Sequence, residues 1–368
     1  MDSDFQVLYS NYKETKMNIK PINLPSEQGK PIIIAGPCSA ENELQVLQTA
    51  RRLSEIGIKV FRAGVWKPRT KPGCFEGRGA VALEWLKRVK EETGMLVATE
   101  VATPEHARLC LEAGVDVLWI GARTTTNPFA VQALADELRG SDVRVMVKNP
   151  VSPDVELWIG ALERLSSAGV SRLAAVHRGF SAYNDKTFRN PPMWQLPIEL
   201  RRRVPSLPII GDPSHIGGQR ELVYPLAQQA LDLGFDGLMI ESHINPEEAL
   251  SDAKQQLMPD ELQHLIDELV VRDRCNRGEQ LTQLRQQIDQ LDDQLISLLA
   301  QRMAVSREIG EYKNKQNMTV LQSARYNDIL DRRASQAEKH NLSPDFIKRI
   351  FACVHEESVR QQIMIVNN

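Results

Sequence analysis

Of the chain's 21 glycines and 20 prolines, only Gly310 and Pro344 fall within residues 281–368. A stretch so poor in chain-breaking residues excludes a turn-rich fold and predicts long helices. Cysteine is scarce too: five, widely scattered over 368 residues, cannot make a disulfide framework. Neither charge sign is in excess, with 45 Lys plus Arg against 48 Asp plus Glu, so a strongly basic nucleic-acid-binding face is excluded. No apolar run approaches the roughly 20 residues that cross a bilayer. The opening MDSDFQVLYS has neither the basic nor the apolar segment of a signal peptide. The expectation is a cytoplasmic protein without membrane or nucleic-acid partners, long enough for more than one domain.

What is present divides the chain. Residues 1–30 carry little pattern and read as an N-terminal extension. Residues 31–271 alternate short apolar runs with helical stretches: PIIIAG at 31–36, IKVFRA at 58–63, MLVATE at 95–100, DVLWIGA at 116–122, VRVMVK at 143–148, RLAAVHRG at 172–179, LPIIGD at 207–212 and DGLMIE at 236–241. Nearly continuous apolar runs suit strands buried on both faces. Helical segments such as 43–55, 80–92 and 104–113 lie between them, with Gly57, Gly94 and Gly114 as stop signals. Eight strand–helix units in about 250 residues predict an α/β fold, a closed (β/α)8 TIM barrel; an open doubly wound sheet is the alternative. A polar linker follows at 272–280, then the smaller all-α region 281–368.

Barrel enzymes carry their chemistry at the C-terminal strand ends. Those positions read Cys38; Arg62 with Lys67; Glu100; Arg123; Lys148; His177 and Arg178; Asp212 and His215; Glu241 and His243. Arg62, Lys67, Arg69, Arg123, Lys148 and Arg178 would repel one another unless they meet anions, which points to phosphate or carboxylate ligands. Cys38, His215, Glu241 and Asp252 form a mixed N/O/S set that suits a divalent transition metal better than magnesium or calcium. Each has a bland reading: Cys38 as a small core residue, His215 as a bonded loop histidine, Asp252 as a helix N-cap. The run Gly77–Ala82, GRGAVA, matches a dinucleotide fingerprint only by chance, because a polar loop precedes it.

Five motifs, Gly36-Pro-Cys-Ser39, Arg62 with Lys67-Pro-Arg-Thr70, Ile120-Gly-Ala-Arg123, Asp212-Pro-Ser-His215-Ile-Gly-Gly218 and Ser251-Asp-Ala-Lys-Gln255, together resemble 3-deoxy-D-arabino-heptulosonate 7-phosphate (DAHP) synthase of the short-chain type I subgroup. The match runs in consistent order over about residues 30–270. The sister family that makes an eight-carbon sugar acid typically has Asn-Arg-Thr where this chain has Pro-Arg-Thr, which favours erythrose 4-phosphate as the aldehyde. The resemblance implies that Cys38, His215, Glu241 and Asp252 hold the metal, Mn2+ first, with Fe2+, Co2+ or Zn2+ as alternatives. It implies that Arg62, Lys67, Arg123, Lys148 and Arg178 cradle phosphoenolpyruvate, and that Pro68, Arg69 and Thr70 meet erythrose 4-phosphate. The metal is then a Lewis acid at the aldehyde, and Lys67 is the expected proton donor to its oxygen.

From Leu281 a heptad stripe runs through Leu284, Ile288, Leu291, Leu295, Leu298, Val305, Ile309 and Tyr312, but Arg302 stands where an apolar residue belongs. Lys313 falls about three turns later on nearly the same face. The last helix, from Ser343, has a stripe of Ile347, Phe351, Val354 and Ile365 that includes Ser358 and Gln362. A coiled-coil dimerisation arm explains one polar register residue; four polar groups on facing stripes describe a cationic pocket for a small dicarboxylate.

With Leu284–Asp292, Arg302, Lys313, Arg325 and Glu357-Ser358, residues 278–366 resemble the all-helical chorismate mutases. The resemblance implies a homodimer in which Arg285 completes the partner's pocket. There Arg285, Arg302, Lys313, Arg325, Ser358 and Gln362 bind chorismate, with Lys313 and Gln362 on its ether oxygen. Tyr326 and Gln322 stand where many members carry acids, so binding of the substrate hydroxyl is expected to differ. The expected whole is a bifunctional, allosteric enzyme of aromatic amino acid (shikimate pathway) biosynthesis, with prephenate or chorismate inhibiting the barrel. The alternatives are a helical tail that senses chorismate or prephenate without turnover, and a barrel that uses another sugar phosphate.

Overall fold

The structure is a computed structural model that describes residues 17–26, 29–68, 73–272, 278–321 and 323–367, with the side chains of residues 279, 323–325 and 327 excepted. The chain divides at residues 274 and 275 into two compact units.

All eight apolar runs of the first unit are parallel strands: β1 (Ile32–Gly36), β2 (Val60–Arg62), β3 (Leu96–Val101), β4 (Val117–Ile120), β5 (Arg144–Lys148), β6 (Leu173–His177), β7 (Ile209–Gly211) and β8 (Gly237–Glu241). Each pairs with the next, and β1 also pairs with β8 from Ile32 opposite Gly237 to Gly36 opposite Glu241, so the sheet closes. The barrel is thereby chosen over the open sheet. Helices follow the strands with local start signals. Asn42, Thr103 and Asp154 each accept a hydrogen bond from a backbone N–H three residues on, and Gly94 ends its helix in the left-handed region.

Strand alternation sorts the side chains into two cores. Ala35, Phe61, Val97, Leu118, Val145, Ala175, Ile209 and Leu238 face the surrounding helices. Ile34, Val60, Ala98, Val117, Trp119, Met146, Ala174, Val176, Ile210 and Met239 fill the interior. Ile22 and Leu24 join that interior cluster, and the Ile22 carbonyl accepts a 2.8 Å hydrogen bond from Arg144 Nε. Residues 17–26, expected to be a patternless extension, therefore close the barrel's N-terminal end; only Ile22 and Leu24 of this short stretch reach the interior, too few for a periodic signal.

The second unit contains three helices, Glu279–Lys315, Ser323–Glu338 and Pro344–Val366, and the last packs against both others. Gly310, the lone glycine of the tail, lies where two helices approach closely: a Cβ there would sit 3.2 Å from Gln362 Cα. Leu291, Leu295, Leu298 and Tyr312, on the predicted stripe, are more than half exposed in the single chain. No helix among the described residues is long and apolar enough to cross a membrane.

Ile22 is 3% exposed, and truncating a buried isoleucine costs about 2–5 kcal/mol. Ile22→Ala is expected to lower the urea midpoint of the barrel transition, read by emission of the tryptophans, all of which lie in that unit. The unfolding transition of the second unit should not change; an unshifted midpoint would mean the plug is not part of the barrel core.

Candidate active sites

The barrel mouth is assembled from strand ends whose interior parity turns charge inward. Gly36 ends β1 with φ +147°, and a Cβ there would lie 2.1 Å from the Arg62 carbonyl oxygen. Only glycine permits this approach, which brings Cys38 beside β2. Arg62 and Glu241, on β2 and β8, are wholly buried and lie 3.2 Å apart. Arg62 Nη2 also donates to the Cys38 carbonyl at 3.2 Å, while its Nε and Nη1 have no hydrogen-bond partner among the described residues. Lys148 Nζ pairs with Asp212 at 2.8 Å. Asp212 in turn caps the short helix Pro213–Gly217, accepting from the His215 N–H, and its carboxylate lies 2.9 Å from His215 Nδ1.

Cys38, Glu241 and Asp252 bring their ligand atoms within 4.8 Å of one another. Cys38 Sγ lies 3.4 Å from Asp252 Oδ2, and His215 Nε2 reaches within 3.6 Å of Glu241 Oε1. The four residues proposed from sequence thus meet in one place, with His215 at the margin of the trio. The segment after β8 carries Asp252 there. Gln255 Nε2 donates to Glu241 Oε2 at 2.6 Å, Gln256 Oε1 accepts from the Cys38 N–H at 2.9 Å, and Ser39 bonds Ser251. Asp252 has φ +48° and makes no side-chain cap, so the helix-cap reading of it fails.

The donor set fits a cation. Burial holds the His215 imidazole below its usual pKa, and its Nδ1 faces the Asp212 carboxylate. The neutral ring that donates from Nδ1 turns a bare Nε2 lone pair on Glu241 Oε1, which ion-pairs with Arg62 but has no hydrogen-bond partner among the described residues. Two acceptors facing each other need a positive charge between them. Burial, then Glu241, pushes the Cys38 thiol up to about 12, so a strong local cation is required for it to ligate as thiolate. Burial also opposes ionisation of Asp252, but His215 and Arg189 hold its carboxyl well below the usual range.

Lys67 Nζ lies 3.1 Å from Cys38 Sγ. Burial disfavours its charge, yet Cys38, Glu100 and Glu241 outweigh that and raise its pKa. Arg178 donates to Asn190 Oδ1 at 2.6 Å, and burial brings its pKa down to about 10. Arg123 Nη1 donates to the Pro68 carbonyl at 3.4 Å. Arg69 and Thr70 lie outside the described residues.

Two strand-end readings are corrected. His177 shares parity with Ala175, so its ring points away from the mouth into Trp158, Phe180, Trp194 and Phe235, and burial lowers its pKa to about 3. His243 faces Glu41 at 3.7 Å rather than the mouth. Arg189 was missed: it bonds Gln255 at 2.7 Å and pairs with Asp252 at 3.2 Å, but it comes from a loop with no periodic or motif signal.

In the helical unit, Arg302 Nη1 donates to Ser358 Oγ at 2.6 Å, and Lys313 Nζ donates to Gln362 Oε1 at 3.1 Å. The four polar anomalies do meet. Gln362 Nε2 also donates to Ser306 Oγ at 3.0 Å, a buried partner that sequence reading missed because serine on a helix carries no signal. Burial lowers the pKa of Lys313, as expected for an ammonium awaiting an anion. The Tyr326 and His355 rings lie 4.6 Å apart at a 31° tilt. Arg285 is exposed, Gln322 lies outside the described residues, and so does the side chain of Arg325.

Asp212 orients His215, so Asp212→Asn is expected to weaken Mn2+ or Co2+ affinity about 10–100-fold. Equilibrium dialysis of the full chain checks this; unchanged affinity would separate His215 from the ion.

Comparison with known proteins agrees with this geometry. The DAHP synthetase I family matches residues 18–273, and chorismate mutase type II matches residues 284–363. The phospho-2-dehydro-3-deoxyheptonate aldolase of Thermotoga maritima is 35% identical over 237 residues, covering 64% of this chain and 68% of that protein. Its crystal structure aligns with a TM-score of 0.59 at 34% identity, covering 66% of this chain and 68% of that one. The 2-dehydro-3-deoxyphosphooctonate aldolase of Nitratidesulfovibrio vulgaris is 31% identical, covering 64% of this chain and 90% of its own length. Barrel, motifs and helical tail agree: the chain is an enzyme of the DAHP synthetase I family, with a chorismate mutase following its barrel.

Proposed function

We propose that the barrel condenses phosphoenolpyruvate with erythrose 4-phosphate to give DAHP and phosphate, and that the helical unit rearranges chorismate to prephenate, both in the cytoplasm. One observation carries the first half: buried Arg62, with two guanidinium nitrogens lacking partners among the described residues, adjoins Lys67, Lys148 and the Cys38–Glu241–Asp252 trio. Arg62, Lys67, Arg123, Lys148 and Arg178 take the substrate's carboxylate and phosphate, because buried cations without anions are costly. Cys38, His215, Glu241 and Asp252 hold a divalent metal, Mn2+ first. The metal, when bound, supplies Lewis-acid polarisation of the aldehyde carbonyl. Lys67, kept charged by Cys38, Glu100 and Glu241, gives its proton to the aldehyde oxygen as C3 of phosphoenolpyruvate attacks the carbonyl carbon. Water then adds at C2, and phosphate leaves. Pro68, Arg69 and Thr70 select erythrose 4-phosphate over arabinose 5-phosphate.

In the helical unit Arg302 and, from a second copy, Arg285 bind the two carboxylates of chorismate, with Arg325 and Ser358 beside them. Lys313 and Gln362 donate to the ether oxygen as it gains negative charge. The pocket needs no nucleophile, because holding the compact conformer and stabilising that charge suffice. The exposed stripe from Ile288 to Leu298 supports the homodimer, since water-facing leucines at heptad spacing gain by pairing. Prephenate made here feeds back on the barrel.

A metal-titrated assay of the full chain with each aldehyde tests the synthase; faster turnover of arabinose 5-phosphate would overturn the substrate choice. Lys67→Ala is expected to cut kcat by about 10^2–10^4-fold while metal affinity stays within a few-fold. Equal loss of both would remove Lys67 as proton donor. Lys313→Ala is expected to lower mutase kcat by at least about 100-fold and leave DAHP formation intact. Saturating prephenate is expected to slow the synthase, and unchanged kinetics would dismiss feedback.

A further inference from the structure

Among the described residues, the interior cluster of the barrel is aliphatic or methionine apart from Trp119. Barrel interiors are usually filled by branched aliphatic side chains, so a wholly buried indole directly below the mouth calls for a reason. Its N–H donates to Glu100 Oε2 at 3.1 Å. Its ring lies under two buried cations: Arg62 Cζ is 4.8 Å from the ring centroid, and Lys148 Nζ is 5.8 Å from it. Each cation has a carboxylate of its own, Glu241 for Arg62 and Asp212 for Lys148. The indole is the group they share.

Like charges brought to one place repel, and the negative face of an aromatic ring offsets part of that repulsion, most strongly where water is excluded. A carboxylate on the indole N–H polarises the ring further in the same sense. An aliphatic side chain of similar volume would fill the space and do neither. We propose that Trp119, held by Glu100, is a positioning residue whose ring face keeps Arg62 and Lys148 together at the spacing that receives the carboxylate and phosphate of phosphoenolpyruvate. This rests on the reading of the barrel as a phosphoenolpyruvate site.

The test weakens the ring face without changing its shape. The full-length chain is made with tryptophan replaced by mono-, di- or trifluorotryptophan, and the same series is made in Trp119→Phe. Phosphoenolpyruvate affinity is measured by calorimetry on metal-free protein, and the urea midpoint of the barrel unit, followed by far-UV circular dichroism, reports that each preparation is folded. Affinity is expected to fall stepwise with fluorination, about tenfold across the series, and to stay within about twofold in Trp119→Phe. A flat series in the unsubstituted chain, or the same slope in both backgrounds, would overturn the proposal and leave the phosphoenolpyruvate reading standing. Failure of phosphoenolpyruvate to bind the unlabelled chain would overturn that reading, and the proposal with it.

Discussion

Arg62, Lys148, Asp212 and Glu241 are buried at the top of the barrel as two ion pairs, joined through His215, which touches both carboxylates. Burying a charge is costly unless it is paired, and removing one member leaves its partner uncompensated in a poorly polarisable surround. The upper barrel depends on this balance. It pairs an arginine and a lysine that are both buried from solvent, and it leaves Glu241 Oε1 and His215 Nε2 confronting each other. Both features make the mouth receptive, to an anion on one side and a cation on the other.

The same economy recurs in the helical unit with fewer groups. Arg302 and Lys313 fall on the apolar stripe of their helix, and Ser358 and Gln362 answer them from the facing one. Serine and glutamine are neutral, so they orient the two cations without neutralising them. A pocket built this way keeps its positive potential for a ligand.

Much of the site was legible because polar residues stood out against apolar runs. Arg62, Lys148 and Glu241 each directly follow a run drawn from Val, Ile, Phe, Met and Leu. His177 was misread for the same reason: a strand buried on both faces is apolar at every position, so its pattern does not say which residues point inward. Only pairing of β6 between β5 and β7 revealed that His177 turns outward with Ala175. Arg189, Ser306 and the Ile22–Leu24 plug were invisible because each acts through contacts distant in sequence and belongs to no repeat.

Local pattern alone was enough for the eight strands, the helical tail and the residue types able to bind metal and anions, since these depend on neighbours a few positions apart. Tertiary structure decided which of them meet. Cys38 and Asp252 are separated by more than two hundred residues, and Trp119 reaches Lys148 on the adjacent β5 and Arg62 two strands away on β2. Closure of the sheet converts such sequence distance into contact, because joining β1 to β8 turns every strand end toward one mouth.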